Sequence, residues 1–230
     1  MKKILILLIL ALMVATPITT IAKEKTELPE YTVEGLKRIH DPKNMAIVYA
    51  EPGVTLAQYE RVYLVEPYVA FKKNWQRDYN RSAGSSLSSR VSTSDMERIK
   101  TNLKTIFMEL FKEELVAGGY AMATERAEDV LIVKPAILDL DVNAPDLRSS
   151  GRTDTFTTAA GSMILYVELY DSETDDLLAK ALDPTSDRDS GYLQWQTGVS
   201  NQAAAKRMIK PWAQALVKGL DSAHEVTKQE

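Results

Sequence analysis

The strongest pattern along the chain is an apolar stripe at intervals of three and four residues over positions 96–115. This spacing predicts an amphipathic helix whose apolar side faces a core. Ser94 followed by Glu97 has the spacing of a capping box, so we predict that the helix begins at Ser94. Gly118 and Gly119 predict its end, because glycine readily adopts the left-handed conformation that closes a helix.

Runs rich in Val, Ile, Leu and Tyr predict strands on both sides of this helix. Residues 45–54 and 59–71 form two runs before it, and residues 129–143 form a longer apolar run after it. Residues 162–172 then alternate between apolar and polar positions. Because an acidic turn joins this segment to residues 177–183, the two predict an antiparallel hairpin.

Residues 202–220 predict a second helix, in which Pro211 either kinks the helix or opens a separate one. The Ser-rich, locally basic segment 72–92 is expected to be a long exposed loop. The order strand, helix, strand, strand, strand, helix predicts an α+β domain in two layers. We expect a mixed, mostly antiparallel sheet with two main helices packed on one face.

The N-terminal residues have the character of an export signal. Lys2 and Lys3 precede an apolar run over residues 4–15. This run is short of the roughly 20 residues that a membrane-spanning helix needs. We therefore predict a cleaved signal, a periplasmic or secreted protein, and no stable membrane anchor. The predicted divisions are a signal peptide at 1–22, an arm with weak structure at 23–44, a single α/β domain at 45–224, and a tail at 225–230.

Composition excludes several kinds of chemistry. The chain has no cysteine, which excludes disulfides, thiolate metal ligands, a cysteine nucleophile and a lipobox. His40 and His224 are its only histidines, and it has neither a glycine-rich phosphate loop nor a nucleophile elbow. The net charge of −4 gives no support for nucleic-acid binding. We predict a protein that is not an enzyme, with no catalytic residues, cofactor or metal.

Two groups of carboxylates invite a functional interpretation. Asp139 and Asp141, at positions i and i+2 of a predicted strand, would share one face, as metal binding or acid–base chemistry requires. The solvent side of a half-buried strand explains the pair at least as well. The acidic turn at residues 171–176 lacks the central glycine and distal glutamate of a calcium loop. We therefore interpret it as a hairpin turn.

Basic and aromatic residues alternate in the segment that we predict to be a loop. Exposed aromatic and Arg side chains are enriched at protein contacts, so these residues are a candidate partner surface. In the alternative, the two aromatic side chains anchor the loop on the core. The four residues are Trp75, Arg77, Tyr79 and Arg81.

A second candidate surface lies on the predicted hairpin. Tyr166 and Tyr170 share one strand face with Ile164. We expect a helix to cover that face. If no helix covers it, an apolar patch of this kind is a binding surface.

Several segments resemble the bacterial family DUF3313, which consists mostly of exported envelope lipoproteins. The resemblance covers roughly residues 33–221 and implies a small α/β domain with no assigned reaction or catalytic residues. Members usually carry a lipobox cysteine, which this chain lacks. The matching segments are VEGLKRI, VYAEPGVTLAQYERVYLVEPYVAF, DVLIVKPAILDLDVNAP, GSMILYVELYDSETDDLLAKALD and WAQALVKGLD.

The export signal, together with the lack of recognisable catalytic groups, favours a non-enzymatic periplasmic binding or assembly-accessory protein. Its partner would be an unknown envelope protein, recognised through the basic segment or an exposed sheet edge. The alternative is a small-molecule or lipid carrier with a pocket between the sheet and the helices. A hydrolase that uses Asp139 and Asp141 is a third hypothesis, which requires both carboxylates to face a cleft.

Overall fold

The computed structural model describes most of the chain. The predicted signal peptide, part of the Ser-rich segment, and most of the polar stretch after residue 143 lie outside the described residues. The described residues are 27–82, 90–143, 145, 155–157, 161–187, 194–196 and 198–227.

Strands form at every segment where the sequence predicts one. The predicted run 59–71 divides into two strands, with Pro67 in the break between them. The described strands are β1 Lys37–Ile39, β2 Ile47–Ala50, β3 Arg61–Leu64, β4 Tyr68–Phe71, β5 Ala121–Met122, β6 Val130–Val142, β7 Thr155–Thr157, β8 Gly161–Asp171, β9 Leu177–Ser186 and β10 Gln194–Gln196.

Eight of these strands build one mixed sheet in the order β1-β2-β9-β8-β6-β3-β5, and β4 also pairs with β6. Strands β3 and β4 run parallel to β6, and β5 runs parallel to β3. The pairs β1–β2, β2–β9, β8–β9 and β6–β8 are antiparallel. The prediction of a mixed, mostly antiparallel sheet is therefore confirmed.

Three helices are described: α1 Trp75–Ser82, α2 Thr93–Ala117 and α3 Gly198–Thr227. Helices α2 and α3 pack together on one face of the sheet, as predicted, and share one core with β6 and β8. Helix α3 continues through Pro211, so the alternative of two separate helices is wrong. Among the described helices, none combines the length and apolarity of a membrane span. Fully buried core side chains include Phe107, Phe111, Leu115, Leu131, Ile137, Met163, Leu165, Ile209 and Leu220.

Helix α1 corrects the prediction that residues 72–92 form a loop. Its aromatic residues, Trp75 and Tyr79, lie four positions apart, so their rings meet on one side of the helix. The side chains of Gln76 and Asn80 donate hydrogen bonds to the carbonyl of Val91, which fixes the helix to the start of α2. A polar helix of this length needs such tertiary contacts to be stable. Composition alone gives no sign of them.

The N-cap of helix α2 lies two residues earlier than predicted. This N-cap is Ser92, whose hydroxyl accepts a hydrogen bond from the Asp95 backbone N–H at 3.1 Å, while the Asp95 carboxylate accepts one from the Ser92 N–H at 3.0 Å. The predicted pair, Ser94 and Glu97, has the same spacing but lies inside the helix. Two overlapping capping boxes compete here, and the pair with the extended Ser92 backbone is the one that forms.

Strand β6 contains a bulge that the sequence pattern conceals. Its register against β8 shifts between Leu138 and Asp141, and Asp139 adopts a φ of 49°. As a result, Ile137 and Leu140 are both buried against the helices, although they are three residues apart. The bulge therefore breaks the strict alternation that would place Leu138 and Leu140 on one face. The bulge equally removes the simple alternation that would place Asp139 and Asp141 side by side.

Candidate binding surfaces

The sheet face opposite α2 and α3 is lined by tyrosines and small aliphatic side chains. The strand register places Tyr63 beside Ile132 and Ile132 beside Tyr170. Four residues further along β6, the register aligns Tyr68 of β4, Ala136 and Tyr166 in a second row. We call this surface the tyrosine face, and it consists of Tyr63, Tyr68, Ile132, Ala136, Leu138, Ile164, Tyr166 and Tyr170.

None of the described helices packs on the tyrosine face. Tyr68 is 66% exposed and Tyr63 is 39% exposed, while Ile132 and Ile164 are half-buried. The expectation that a helix covers Tyr166 is therefore wrong. The apolar stripes of both long helices pack against the opposite face of the sheet, on the residues of β6 and β8 that alternate with those of the tyrosine face. Neither helix therefore covers the tyrosine face. The sequence predicts a binding surface here only if no helix covers the face, and that condition is met among the described helices.

A charged row crosses the middle of the tyrosine face. Register pairs Lys134 of β6 with Glu168 of β8, and Glu168 with Lys180 of β9. Glu168 accepts hydrogen bonds from the hydroxyls of Tyr166 at 2.6 Å and Tyr170 at 2.8 Å. The Lys180 ammonium lies 3.8 Å from the Glu168 carboxylate. This network fixes two of the four tyrosine rings in place.

The network sets the protonation of its members. Burial alone would raise the pKa of Glu168, but the two tyrosine hydroxyls and the nearby lysines outweigh it and hold that pKa below its usual value. Burial and the hydrogen bond to Glu168 raise the pKa of Tyr170 to about 12 and also raise the pKa of Tyr166. Glu168 is therefore an acceptor and both tyrosines are donors at neutral pH.

The N-terminal arm covers one end of this side of the sheet. Glu34 accepts a hydrogen bond from Lys180 at 2.6 Å, and the Tyr49 hydroxyl donates to the Pro29 carbonyl at 2.8 Å. Leu36 is buried, and β1 pairs with β2. The segment predicted to have weak structure is thus anchored on the β2–β9 end, and Tyr63 and Tyr68 lie at the open end.

A groove at the open end adds depth to the tyrosine face. It has a volume of about 480 Å³ and is lined by Tyr63, Tyr170, Ile132 and Lys134. The Lys134 ammonium lies 5.8 Å from the centre of the Tyr170 ring, a cation–π distance. An ion pair between Arg126 and Asp175, with atoms 2.8 Å apart, lies at the rim. The groove therefore combines aromatic walls with charges of both signs.

Helix α1 places the four residues of the candidate partner surface in different environments, with the aromatic side chains packed together and the arginines exposed. Trp75 is 6% exposed and stacks between Phe71, at a ring separation of 4.4 Å, and Tyr79, at 5.5 Å. This is the anchoring role that the sequence left as an alternative. Arg77 and Arg81 are exposed, and Arg77 bonds the neighbouring carboxylate of Asp78 at 3.0 Å.

The carboxylates considered as metal or acid–base groups have structural partners. Asp141 forms an ion pair with Lys72 at 2.9 Å, which raises the pKa of Lys72, whereas Asp139 is exposed on the bulge. Asp171 accepts hydrogen bonds from the backbone N–H groups of Glu173 and Thr174, both at 2.8 Å, and so closes the hairpin turn. Within the described ranges, no three His, Asp or Glu side chains gather as a metal site requires.

Two cavities lie between the sheet and the helices. One, of about 200 Å³, separates the N-terminal halves of α2 and α3, with Arg98 and Asn102 beside an apolar wall that includes Leu103 and Met163. The other, of about 270 Å³, lies between α3 and strands β2 and β9, and its walls are almost entirely apolar. Space of the kind that the carrier alternative requires is thus present between the sheet and the helices, although no sequence motif marks its position.

A comparison with known protein families identifies the family of this chain. The family model described as "Protein of unknown function (DUF3313)" matches residues 28–216. The chain belongs to this family. The expected resemblance is therefore confirmed over nearly the whole described fold. No curated protein matches the chain.

Solved structures similar to this DUF3313 protein are distant in sequence. The PelC dodecamer from Paraburkholderia phytofirmans is 14% identical, with 74% of this chain and 95% of that chain covered and a TM-score of 0.35. Protein XCC0632 from Xanthomonas campestris is 14% identical, with 79% and 94% covered and a TM-score of 0.40. A minor lipoprotein from Acinetobacter baumannii is 12% identical, with 74% and 91% covered and a TM-score of 0.25.

Proposed function

We propose that the protein is a non-enzymatic binding protein of the bacterial envelope that recognises a partner protein through the tyrosine face. The observation that carries this proposal is the exposure of Tyr68, at 66%, and Tyr63, at 39%, on a sheet side that none of the described helices covers. Tyrosine is favoured at protein contacts because its rigid ring offers apolar area and its hydroxyl a hydrogen bond.

The fixed geometry of the neighbouring tyrosines supports a recognition role. Tyr166 and Tyr170 are held by the Glu168 carboxylate, so these side chains lose little conformational freedom when a partner binds. The groove between Tyr63 and Tyr170 accepts a protruding side chain from a partner, and Lys134, which also lines it, supplies a positive charge. The envelope location rests on the export-signal pattern of residues 1–22.

Photocrosslinking in cells tests this function. A benzophenone amino acid replaces Tyr68, and the cells are irradiated before the adducts are separated by mass. We expect one discrete adduct with another protein, and we expect Tyr63→Ser in the same chain to reduce its yield severalfold, because the two tyrosines share the surface. An adduct that contains only lipid would contradict the proposal.

The control places the same crosslinker at Tyr31. This tyrosine is 53% exposed but belongs to the arm rather than to the tyrosine face. We expect no discrete adduct from this position. Equal adducts from both positions, or none from Tyr68, would show that the tyrosine face does not select a partner.

A further inference from the structure

The cavity between α3 and strands β2 and β9 has the character of a ligand pocket rather than of a packing defect. Its volume is about 270 Å³. Protein cores contain few voids larger than one water molecule, and this cavity lies just below the lower limit of about 300 Å³ for typical ligand pockets. The side chains that surround it include Val48, Leu56, Phe111, Leu165 and Trp212. A space of this size with such walls suits an apolar group.

Small residues on two facing elements create the space. Ala179 and Ala181 of β9 line one wall, and Ala215 and Gly219 of α3 line the wall opposite. Ala179 and Ala215 are buried, so a larger side chain at either position would take up part of the cavity. At Gly219, an added Cβ atom would meet nothing within 4 Å. The helix and the sheet are therefore separated here by the choice of side chains.

Asp183 fixes the separation of these walls. Its carboxylate accepts a hydrogen bond from the indole N–H of Trp212 at 2.7 Å and another from the backbone N–H of Ala46 at 2.8 Å. One residue of β9 thus holds both α3 and the segment that leads into β2. Because the walls are tied to a common residue, the pocket is formed before any ligand arrives.

The mouth of the cavity is cationic. Pro42, Lys43 and Asn44 lie at its rim, and Lys43 and Asn44 are exposed. Within the part of the chain that the structure describes, Lys43 takes no part in any of the ion pairs. An ammonium group at the entrance of an apolar cavity is complementary to an anionic head on a hydrocarbon chain.

We propose that this cavity binds the hydrocarbon chain of a single-chain anionic amphiphile, with the negative head beside Lys43. A volume of 270 Å³ corresponds to about nine water-sized volumes, which suits an alkyl chain of about ten carbons. This site is separate from the tyrosine face, since it lies on the helix side of the sheet. The two proposals therefore succeed or fail independently.

Titration calorimetry of the full-length mature chain with decanoate tests the pocket. We expect saturable binding at one site, which Ala215→Leu weakens at least tenfold because Ala215 is buried in the cavity wall and the larger side chain takes up part of the space. Gly219→Ala, at an exposed position of the same helix, is the control, and we expect it to bind decanoate within twofold of the unmodified chain. Thermal denaturation confirms that both variants are folded. Wild-type affinity in the folded Ala215→Leu variant would overturn the proposal, as would the absence of saturable decanoate binding.

The charge at the mouth is tested with ligands of opposite sign. We expect decanoate to bind at least fivefold more tightly than decyltrimethylammonium, and Lys43→Gln to remove that preference. Lys112→Gln, at an exposed lysine of α2, should leave the preference intact. Equal binding of the two ligands to the unmodified chain would overturn the assignment of an anionic head.

A final comparison distinguishes the two sources of such a chain. Decanoyl lysophosphatidylglycerol and decanoate share the alkyl chain and the single negative charge. Tighter binding of the lysophospholipid supports a phospholipid-derived ligand, and tighter binding of decanoate supports a free fatty acid. In the NMR spectrum, either ligand should shift the indole N–H signal of Trp212, which lines the pocket. An unshifted signal at saturation would place the ligand elsewhere and overturn the proposal.

Discussion

At the scale of single residues, close approach of backbone atoms determines which side chains the fold tolerates. Gly161 begins β8 opposite the bulge of β6 and has a φ of 154°. An ideal Cβ atom on Gly161 would lie 2.1 Å from the Asp141 carbonyl oxygen. Backbone atoms cannot move aside as a flexible side chain can. The requirement for glycine here arises from a bulge that the sequence pattern did not reveal.

We expect Gly161→Ala to lower the free energy of unfolding by about 2 kcal/mol, because the methyl group overpacks the β6–β8 contact. Urea denaturation followed by circular dichroism measures this change. Gly219→Ala is the control, since its new methyl group meets no atom within 4 Å and alanine is the better helix former. Equal free energies of unfolding for Gly161→Ala and the unmodified chain would show that β6 and β8 can move apart at this point without loss of stability.

The ion pair between Glu34 and Lys180 gives stability a defined dependence on pH. The hydrogen bond from Lys180, with lesser contributions from the Glu34 backbone and Thr32, lowers the pKa of Glu34 from 4.5 to about 2. A carboxylate whose pKa is lower in the folded state stabilises the fold above its unfolded pKa. That contribution is lost as the pH falls from about 4.5 to about 2.

We therefore expect Glu34→Gln to flatten the dependence of Tm on pH over that acidic range. Calorimetric melting at several pH values measures the slope. Lys180→Gln should flatten the slope in the same range, and the double variant should add nothing to the larger of the two effects. Additive effects of the two substitutions would mean that the pair does not act as a unit.

At the scale of elements, the two ends of α2 show how far a local pattern can be trusted. The stripe and the Gly119 stop are local signals, and the helix and its end were both predicted from them. The N-cap was not, because two serines offer the same spacing to a carboxylate. The choice of Ser92 depends on the backbone that enters the helix, which follows from the contacts of α1 with Val91.

The observed cap predicts unequal effects for two similar substitutions. We expect Ser92→Ala to lower the free energy of unfolding by about 1 kcal/mol, since it removes the acceptor for the Asp95 backbone N–H. Ser94→Ala, in the first turn of the helix, should cost much less. Chemical denaturation of both variants decides the matter. A larger loss from Ser94→Ala would place the functional cap at the originally predicted residue.

At the scale of the whole molecule, the sequence predicts the layers but not how their outer surfaces are used. Hydrophobic periodicity identifies the sheet and the two long helices, because burial repeats along each element. Whether the Tyr166 side of the sheet is covered depends on where α3 packs, and a pattern within one strand cannot specify that. The cavity between β9 and α3 is equally invisible, since it requires small residues from both elements to meet across the core.

The pairing of β2 with β9 has a consequence for the order of folding. The hydrogen bond from Ala46 to Asp183 joins residues 137 positions apart, and the bond from Lys180 to Glu34 spans 146 positions. Closing loops of such length reduces the entropy of the chain before the stabilising contacts can form. This sheet is therefore expected to assemble slowly compared with local structure. Strand β2, which is synthesised early, therefore cannot pair with β9 until the last third of the chain is available. For the exported protein that we predict from residues 1–22, this delay would keep the chain unfolded long enough to pass through a translocation channel.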